Sequence, residues 1–185
     1  MVCETMKIVA FTGMPYSGKT EAVQIAKDMG IQVIRMGDMV WGEVKNQGLE
    51  LNDKNVGEVA NNMREKYGKD IWARRTLDNI KSLNKKDVVV IDGIRNVEEI
   101  DRFKKDLGKD FFVIAVDASN ETRYKRALRR GRQDDSKDLE KIKERDQREL
   151  RWGLDVVIAS ADIVVSNEGS IDEFHEAIKK VLHKI

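Results

Sequence analysis

Gly13-Met14-Pro15-Tyr16-Ser17-Gly18-Lys19-Thr20 comes one residue after an apolar run, Ile8-Val9-Ala10-Phe11. The spacing is G-x-x-x-x-G-K-S/T, the phosphate-binding P-loop, set between a strand and a helix as that motif requires. Gly13 and Gly18 let the backbone curl so that successive N–H groups face phosphate oxygens, and Met14, Pro15, Tyr16 and Ser17 complete the turn. Lys19 brings a positive charge for the β- and γ-phosphates, and the Thr20 hydroxyl suits Mg2+. A helix starting near Lys19 would direct its positive end at the same anion. The segment therefore predicts a nucleotide triphosphate site and commits the chain to an α/β fold.

The rest of the sequence agrees with that fold. Strands are expected at 7–12, 31–36, 87–92, 111–117 and 161–166, from apolar runs bounded by turn residues. Val88-Val89-Val90-Ile91 and Phe112-Val113-Ile114-Ala115-Val116 do not alternate, which fits strands covered on both faces of a parallel sheet. Ala22, Val23, Ala26 and Met29 share one helix face, and Gly30 follows as a stop. Ser170 and Glu173 form a capping box ahead of Ile171, Phe174, Ile178, Val181, Leu182 and Ile185 at helical spacing. The expected architecture is a three-layer α/β P-loop NTPase, a parallel five-stranded sheet with helices on both faces. One domain fills 1–185, with a helical insertion at 37–86 and a polar lid at 131–151. The charge run from Lys137 to Arg151 alternates in sign and reads as a solvated helix.

Composition closes off other functions. Lys and Arg total 34 against 33 for Asp and Glu, so a net charge of +1 gives no basis for a nucleic-acid or membrane surface. Cys3 is the single cysteine, which forbids an internal disulfide and a Cys-based zinc site. The two histidines, His175 and His183, fall on the last expected helix, so a His-dependent mechanism is not expected. No apolar run has the length of a membrane span, and Glu4 stands where a signal peptide needs basic residues, so a cytoplasmic location is expected.

Two further loops belong near the nucleotide. Met36-Gly37-Asp38-Met39 ends the second strand and Ile91-Asp92-Gly93-Ile94-Arg95 the third. Asp92 is placed to hold Mg2+ directly or through water, and Arg95 to direct a bidentate donor at the group being phosphorylated. Helix N-capping is the alternative for Asp38 and Asp92.

Residues 123–135 carry a more specific signal. Arg126, Arg130, Arg132, Asp134 and Asp135 resemble the lid of adenylate and UMP/CMP kinases, R-x-L-x-R-G followed by G-R-x-D-D. Gly37-Asp38-Met39 resembles that family's G-D-M-L-R, and Asp92-Gly93-Ile94-Arg95 its D-G-F-P-R. Ala161-Asp162-Ile163-Val164-Val165 leading to Asn167-Glu168-Gly169-Ser170 looks more like dephospho-CoA kinases, where the segment after the last strand packs near the adenine. The whole resembles a largely archaeal family of P-loop kinase-like proteins related to both.

The resemblance implies an ATP-dependent transfer of the γ-phosphoryl group to a small-molecule acceptor, with Mg2+. Arg126, Arg130 and Arg132 would close over the triphosphate, Gly169 would lie by the base, and Arg145 would follow from the helix after the lid. Asp38 would organise Mg2+-bound water or, with a hydroxyl acceptor, take its proton. Some positions depart from the pattern. Trp41 replaces an acceptor-binding arginine, Glu99 replaces the glutamine that reads adenine, and the lid is shorter. AMP is thereby disfavoured, and Arg64, Arg74 or Arg75 would supply the missing clamp for a nucleoside monophosphate-like acceptor. Trp41, Trp72 and Tyr67 are candidates for stacking on a ring or for helix packing. Transfer to a hydroxyl, or a regulatory ATPase without a second substrate, are the competing readings.

Overall fold

The computed structural model describes residues 6–83, 88–129 and 138–185. β1 (Lys7–Thr12) runs into the P-loop and α1 (Lys19–Asp28), then β2 (Gln32–Arg35). Three helices follow, α2 (Met36–Asn46), α3 (Asp53–Tyr67) and α4 (Ile71–Lys81). β3 (Val88–Asp92), α5 (Val97–Leu107), β4 (Phe111–Asp117) and α6 (Asn120–Arg129) continue the alternation. α7 (Leu139–Arg151), α8 (Leu154–Ala159), β5 (Ile163–Ser166) and α9 (Ile171–Leu182) complete the chain.

All neighbouring strands pair in parallel, in the order β2-β3-β1-β4-β5. The non-alternating strands are explained by two separate cores. Ile8 and Ala10 of β1 point into a core shared with α2, α3, α4, α5 and α8, while Val9 and Phe11 point into one shared with α1 and α9. The inner strands β1, β3 and β4 thus bury both faces, as a continuous apolar run requires, while the edge strand β5 leaves Val164 60% exposed. The three-layer α/β sandwich with a parallel five-stranded sheet expected from the sequence is the architecture found.

Element ends have local causes. Asn52, Asn96 and Ser170 cap α3, α5 and α9 by accepting from the N–H three residues on, and Ser170 and Glu173 form the full capping box. Gly30, with φ +77°, follows α1. β2 ends a residue early because Met36 turns straight into α2, its side chain going into the core. The helical stretch at 37–86 resolves into α2, α3 and α4, which bury Val40, Val44, Val59, Met63, Trp72 and Leu77.

α7 corrects one expectation. The run is helical, yet it is not solvated all round: Ile142, Asp146 and Glu149 are buried. Its charged face is matched to arginines on other elements, and helical hydrophobic periodicity carries no trace of such pairing.

α1 lies on one face of the sheet and α5 on the other, so the connections leaving β1 and β3 diverge. That divergence opens a crevice at the strand carboxyl ends, where ligands of open α/β sheets bind. Packing of α5 should set its width. Phe103 is fully buried and stacks on Phe111 with ring centroids 5.2 Å apart. Phe103→Ala is expected to lower unfolding free energy by about 3–5 kcal/mol, measured by urea denaturation, with the far-ultraviolet dichroism of the folded state retained.

Candidate functional site

The P-loop curls through three residues with positive φ. Gly13 (φ +151°) and Gly18 (φ +112°) flank Tyr16 (φ +65°), the one non-glycine with positive φ among the described residues. A Cβ on Gly13 would meet the Val116 carbonyl oxygen at 2.5 Å and Ser17 Oγ at 2.6 Å. A Cβ on Gly18 would strike Asn167 Nδ2 at 2.1 Å. Both glycines therefore answer to close approach as well as to conformation. Ser17 is buried under the loop, and its N–H donates to the Met14 carbonyl at 3.1 Å.

α1 opens from this loop with no side-chain cap, unlike α3, α5, α7 and α9. Its first N–H groups are left for an anion. A cavity of about 440 Å³ lies there, lined by Gly13, Met14, Pro15, Tyr16, Gly18, Lys19 and Thr20. On its other sides stand Gly93, Ile94, Arg95, Arg126, Arg129, Arg145, Glu149 and Leu154. Lys19 Nζ is 2.5 Å from Asp92 Oδ1, so the end of β3 holds the P-loop ammonium. Thr20 and Asp92 give one hydroxyl and one carboxylate beside the phosphate cradle. That set suits Mg2+, which takes one or two protein oxygens together with phosphate oxygens and water. The uncapped amides and the glycine-lined turn fit a triphosphate.

The arginines take different parts. Arg123, 1% exposed, donates to both carboxylate oxygens of Asp146 (3.0 and 2.6 Å), to Asn120 and to the Pro15 carbonyl at 2.9 Å. It ties α6 and α7 to the back of the P-loop. Arg126 lines the cavity while donating to the Ser17 carbonyl and to the Asn167 carbonyl and amide oxygens. Arg145 lies over the Tyr16 ring at 5.4 Å and reaches its hydroxyl at 3.4 Å. Arg95 is bonded through its guanidinium to Glu149 of α7, and its N–H donates to Glu99 Oε2 at 2.8 Å. Burial opposes the Arg95 charge, but Glu149, Glu99 and Asp92 around it outweigh burial and raise its pKa further. Burial pushes the Glu99 carboxyl up, although Arg64 and Arg95 beside it pull the other way.

The P-loop residues, Arg95 and Arg126 are thus brought to one cavity, and Asp92 to Lys19. Asp38 is not: it lies in the first turn of α2, half exposed, 3.9 Å from Arg35. Gly169 is not among the cavity's lining. A Cβ there would press on Glu173 Oε2 at 2.5 Å, so its small size serves the α9 capping box. Trp72 is buried and donates to the Ala60 carbonyl, which makes it a packing residue, while Trp41 and Tyr67 stay exposed. Arg130, Arg132, Asp134 and Asp135 lie outside the described residues. His175 accepts its helix-surface place and meets Glu21 at 2.7 Å. Glu149, Asp146 and Asn167 are the site residues that sequence reasoning did not single out. The i, i+3 spacing of Asp146 and Glu149, which places both acids on one face of α7, was the available signal.

Residues 12–143 match the AAA domain family. The chain is 46% identical to a UPF0200/UPF0201 protein of Archaeoglobus fulgidus, covering all of this chain and 57% of that one. It is 42% identical to a UPF0200 protein of Methanosarcina barkeri over 96% of this chain and 95% of the relative. The fold is similar to the crystal structure of TT1252 from Thermus thermophilus, with TM-score 0.68 and 18% identity over 97% of both chains. It also resembles a gluconokinase from Sinorhizobium meliloti (TM-score 0.59, 14% identity, 96% and 92% covered). A shikimate kinase from Aquifex aeolicus is similar at TM-score 0.52 and 19% identity, with 95% and 96% covered.

The Arg123–Asp146 pair generates a separable test. Arg123→Met leaves a buried carboxylate uncompensated and is expected to cost about 3–5 kcal/mol in urea unfolding. Adding Asp146→Leu should restore most of that stability. Nucleotide affinity, read by calorimetry, should stay weakened in the double variant, because the Pro15 carbonyl has lost its donor.

Proposed function

Because the chain belongs to the AAA domain family, among the archaeal UPF0200 proteins, we propose that it is an ATP-dependent phosphotransferase acting on a small-molecule acceptor. The observation that carries this reading is the uncapped amino end of α1 opening, with Lys19, onto a cavity that Arg95, Arg126, Arg129 and Arg145 also line. A cavity of about 440 Å³ is of the size that small ligands occupy. No helix of the described residues is long and apolar enough to cross a membrane.

In the reaction an acceptor oxygen attacks the γ-phosphorus, and the bond from that phosphorus to the β–γ bridging oxygen breaks. ADP leaves and the acceptor gives up its proton. Little of this asks for covalent chemistry by the protein, so positioning and charge dominate. The P-loop amides hold the phosphate oxygens. Lys19, resting on Asp92 at 2.5 Å, follows the β- and γ-phosphates. Arg126 has its guanidinium spanning the Ser17 and Asn167 carbonyls, a fixed cationic edge at the rim. Arg145 sits over Tyr16 on the side of α7. Thr20 and Asp92 would hold Mg2+, which when bound supplies charge neutralisation between the β- and γ-phosphate oxygens. Arg130 and Arg132 would add to the cationic side of the site.

Lys19→Ala is expected to lower kcat/KM for ATP roughly a thousandfold while leaving the denaturation midpoint within error, since Lys19 is outside the two cores. Normal ATP turnover by this variant would refute the reading. Hydrogen exchange of the α7 amides at 139–151 should slow on adding a non-hydrolysable ATP analogue, because Arg145 gains an anionic partner. A panel of nucleosides, nucleotides, sugars and dephospho-CoA separates kinase from regulatory ATPase. Stimulation by one compound marks a kinase, and slow turnover indifferent to the panel marks the ATPase.

A further inference from the structure

The cations that the sequence offers to an acceptor's phosphate are all bound to carboxylates. Arg64 meets Glu99 at 3.1 Å, Arg75 meets Glu43 at 2.7 Å, Arg74 meets Asp70 at 3.3 Å, and Arg95 is bonded to Glu149. Two of these carboxylates are deeply buried: the Glu99 side chain is 1% exposed and that of Glu149 is 4% exposed. Among Arg64, Arg95, Glu99 and Glu149 the charges cancel. The P-loop end differs, for there Arg126 spends its donors on carbonyls and Arg145 on a tyrosine, so neither charge is neutralised by these contacts. The cavity therefore has a cationic end at the P-loop and a compensated end at Arg95.

Glu149 has a second property. One carboxylate oxygen accepts from Arg95; the other, Oε2, is buried without a hydrogen-bond partner among the described residues. A buried carboxylate oxygen lacking a donor is costly, and this one belongs to a residue that lines the cavity. Beside it, Ile94 and Leu154 give the cavity an apolar wall, and the Arg95 side chain is 42% exposed.

On the phosphotransferase reading above, we propose that the Arg95–Glu149 pair is the acceptor subsite for an uncharged, hydroxyl-bearing molecule of the sugar, polyol or nucleoside kind. One hydroxyl donates to Glu149 Oε2, and a second oxygen accepts from the exposed edge of the Arg95 guanidinium. The carbon skeleton packs on Ile94 and Leu154. A phosphate monoester at Arg95 would have to displace the Glu149 carboxylate, 4% exposed, or lie against it as a like-charge contact. This departs from the nucleoside monophosphate-like acceptor that the motifs suggest, and Glu149 is the residue that makes the difference.

The test begins by titrating a non-hydrolysable ATP analogue into wild type, Glu149→Gln and Glu149→Asp. Failure of the wild type to bind it would sink the kinase reading itself, separately from the acceptor class. Inorganic phosphate is then titrated into the analogue-loaded proteins. Glu149→Gln, which keeps the shape and removes the charge, is expected to bind phosphate at least about tenfold tighter than wild type. Glu149→Asp, which keeps the charge, should stay with the wild type. Equal phosphate affinity in all three proteins overturns the proposal, as does a gain shared by the Asp and Gln variants. In turnover, ribose is compared with ribose 5-phosphate and each nucleoside with its 5′-monophosphate. The best wild-type substrate should be the uncharged member of its pair, by about tenfold or more in kcat/KM, and a preferred monoester overturns the proposal.

Discussion

The contact on which the site depends is the buried pair of Arg123 and Asp146. Arg123 uses a single guanidinium to hold α7 through Asp146, to hold its own helix through Asn120, and to hold the P-loop through the Pro15 carbonyl. A guanidinium has five donors in a rigid plane, so it can grip a carboxylate with two of them and still donate elsewhere, whereas an ammonium has three donors and no fixed fork. With α7 located in this way, Arg145 comes to rest over Tyr16, and Glu149 reaches Arg95. Remove the pair and the far wall of the cavity loses its reference to the near wall. That pair is an expensive contact to build, since both partners leave water, and it holds only because Tyr124 and the Pro15 carbonyl add further hydrogen bonds around it.

Charge organises the cavity a second time. Lys19 and Asp92 sit together beside the P-loop, and the arginines divide between those held by neutral oxygens and those held by carboxylates. A uniformly basic cleft would attract every anion alike. On the proposed reading, a cleft with its positive charge confined to the P-loop end would orient a triphosphate by its tail and leave the other end to shape and hydrogen bonding.

The sequence made the sheet and the P-loop side of the cavity legible, and each for a definite reason. The P-loop is contiguous, with its chemistry set by spacing along the chain; the inner strands β1, β3 and β4 are continuous apolar runs because both faces are covered. The strand ends expected at 36 and 161 fell inside other structure by one or two residues, where Met36 had already turned into a helix and Asp162 had its carboxylate on the Val113 N–H. α7 was legible as a helix and illegible as a wall of the site. Its buried residues are mostly acids, and their partners lie 23 and 54 positions away in the chain. Asp38 shows the opposite failure, a residue placed by motif at the site whose side chain stands half exposed in a helix turn beside Arg35.

Asn167, just past β5, donates to the Ser17 carbonyl at 2.8 Å, and its amide sits where a side chain on Gly18 would go. Helix α9 then packs in the same core as α1. The turn at 13–20 is therefore finished only by residues 150 positions further along. During synthesis the motif leaves the ribosome well before Asn167, 150 positions further on than Ser17, can seat it and before α9 can hold its helix. A growing chain of this kind carries the loop incomplete over that interval, and the loop's final geometry comes only with the long-range contact.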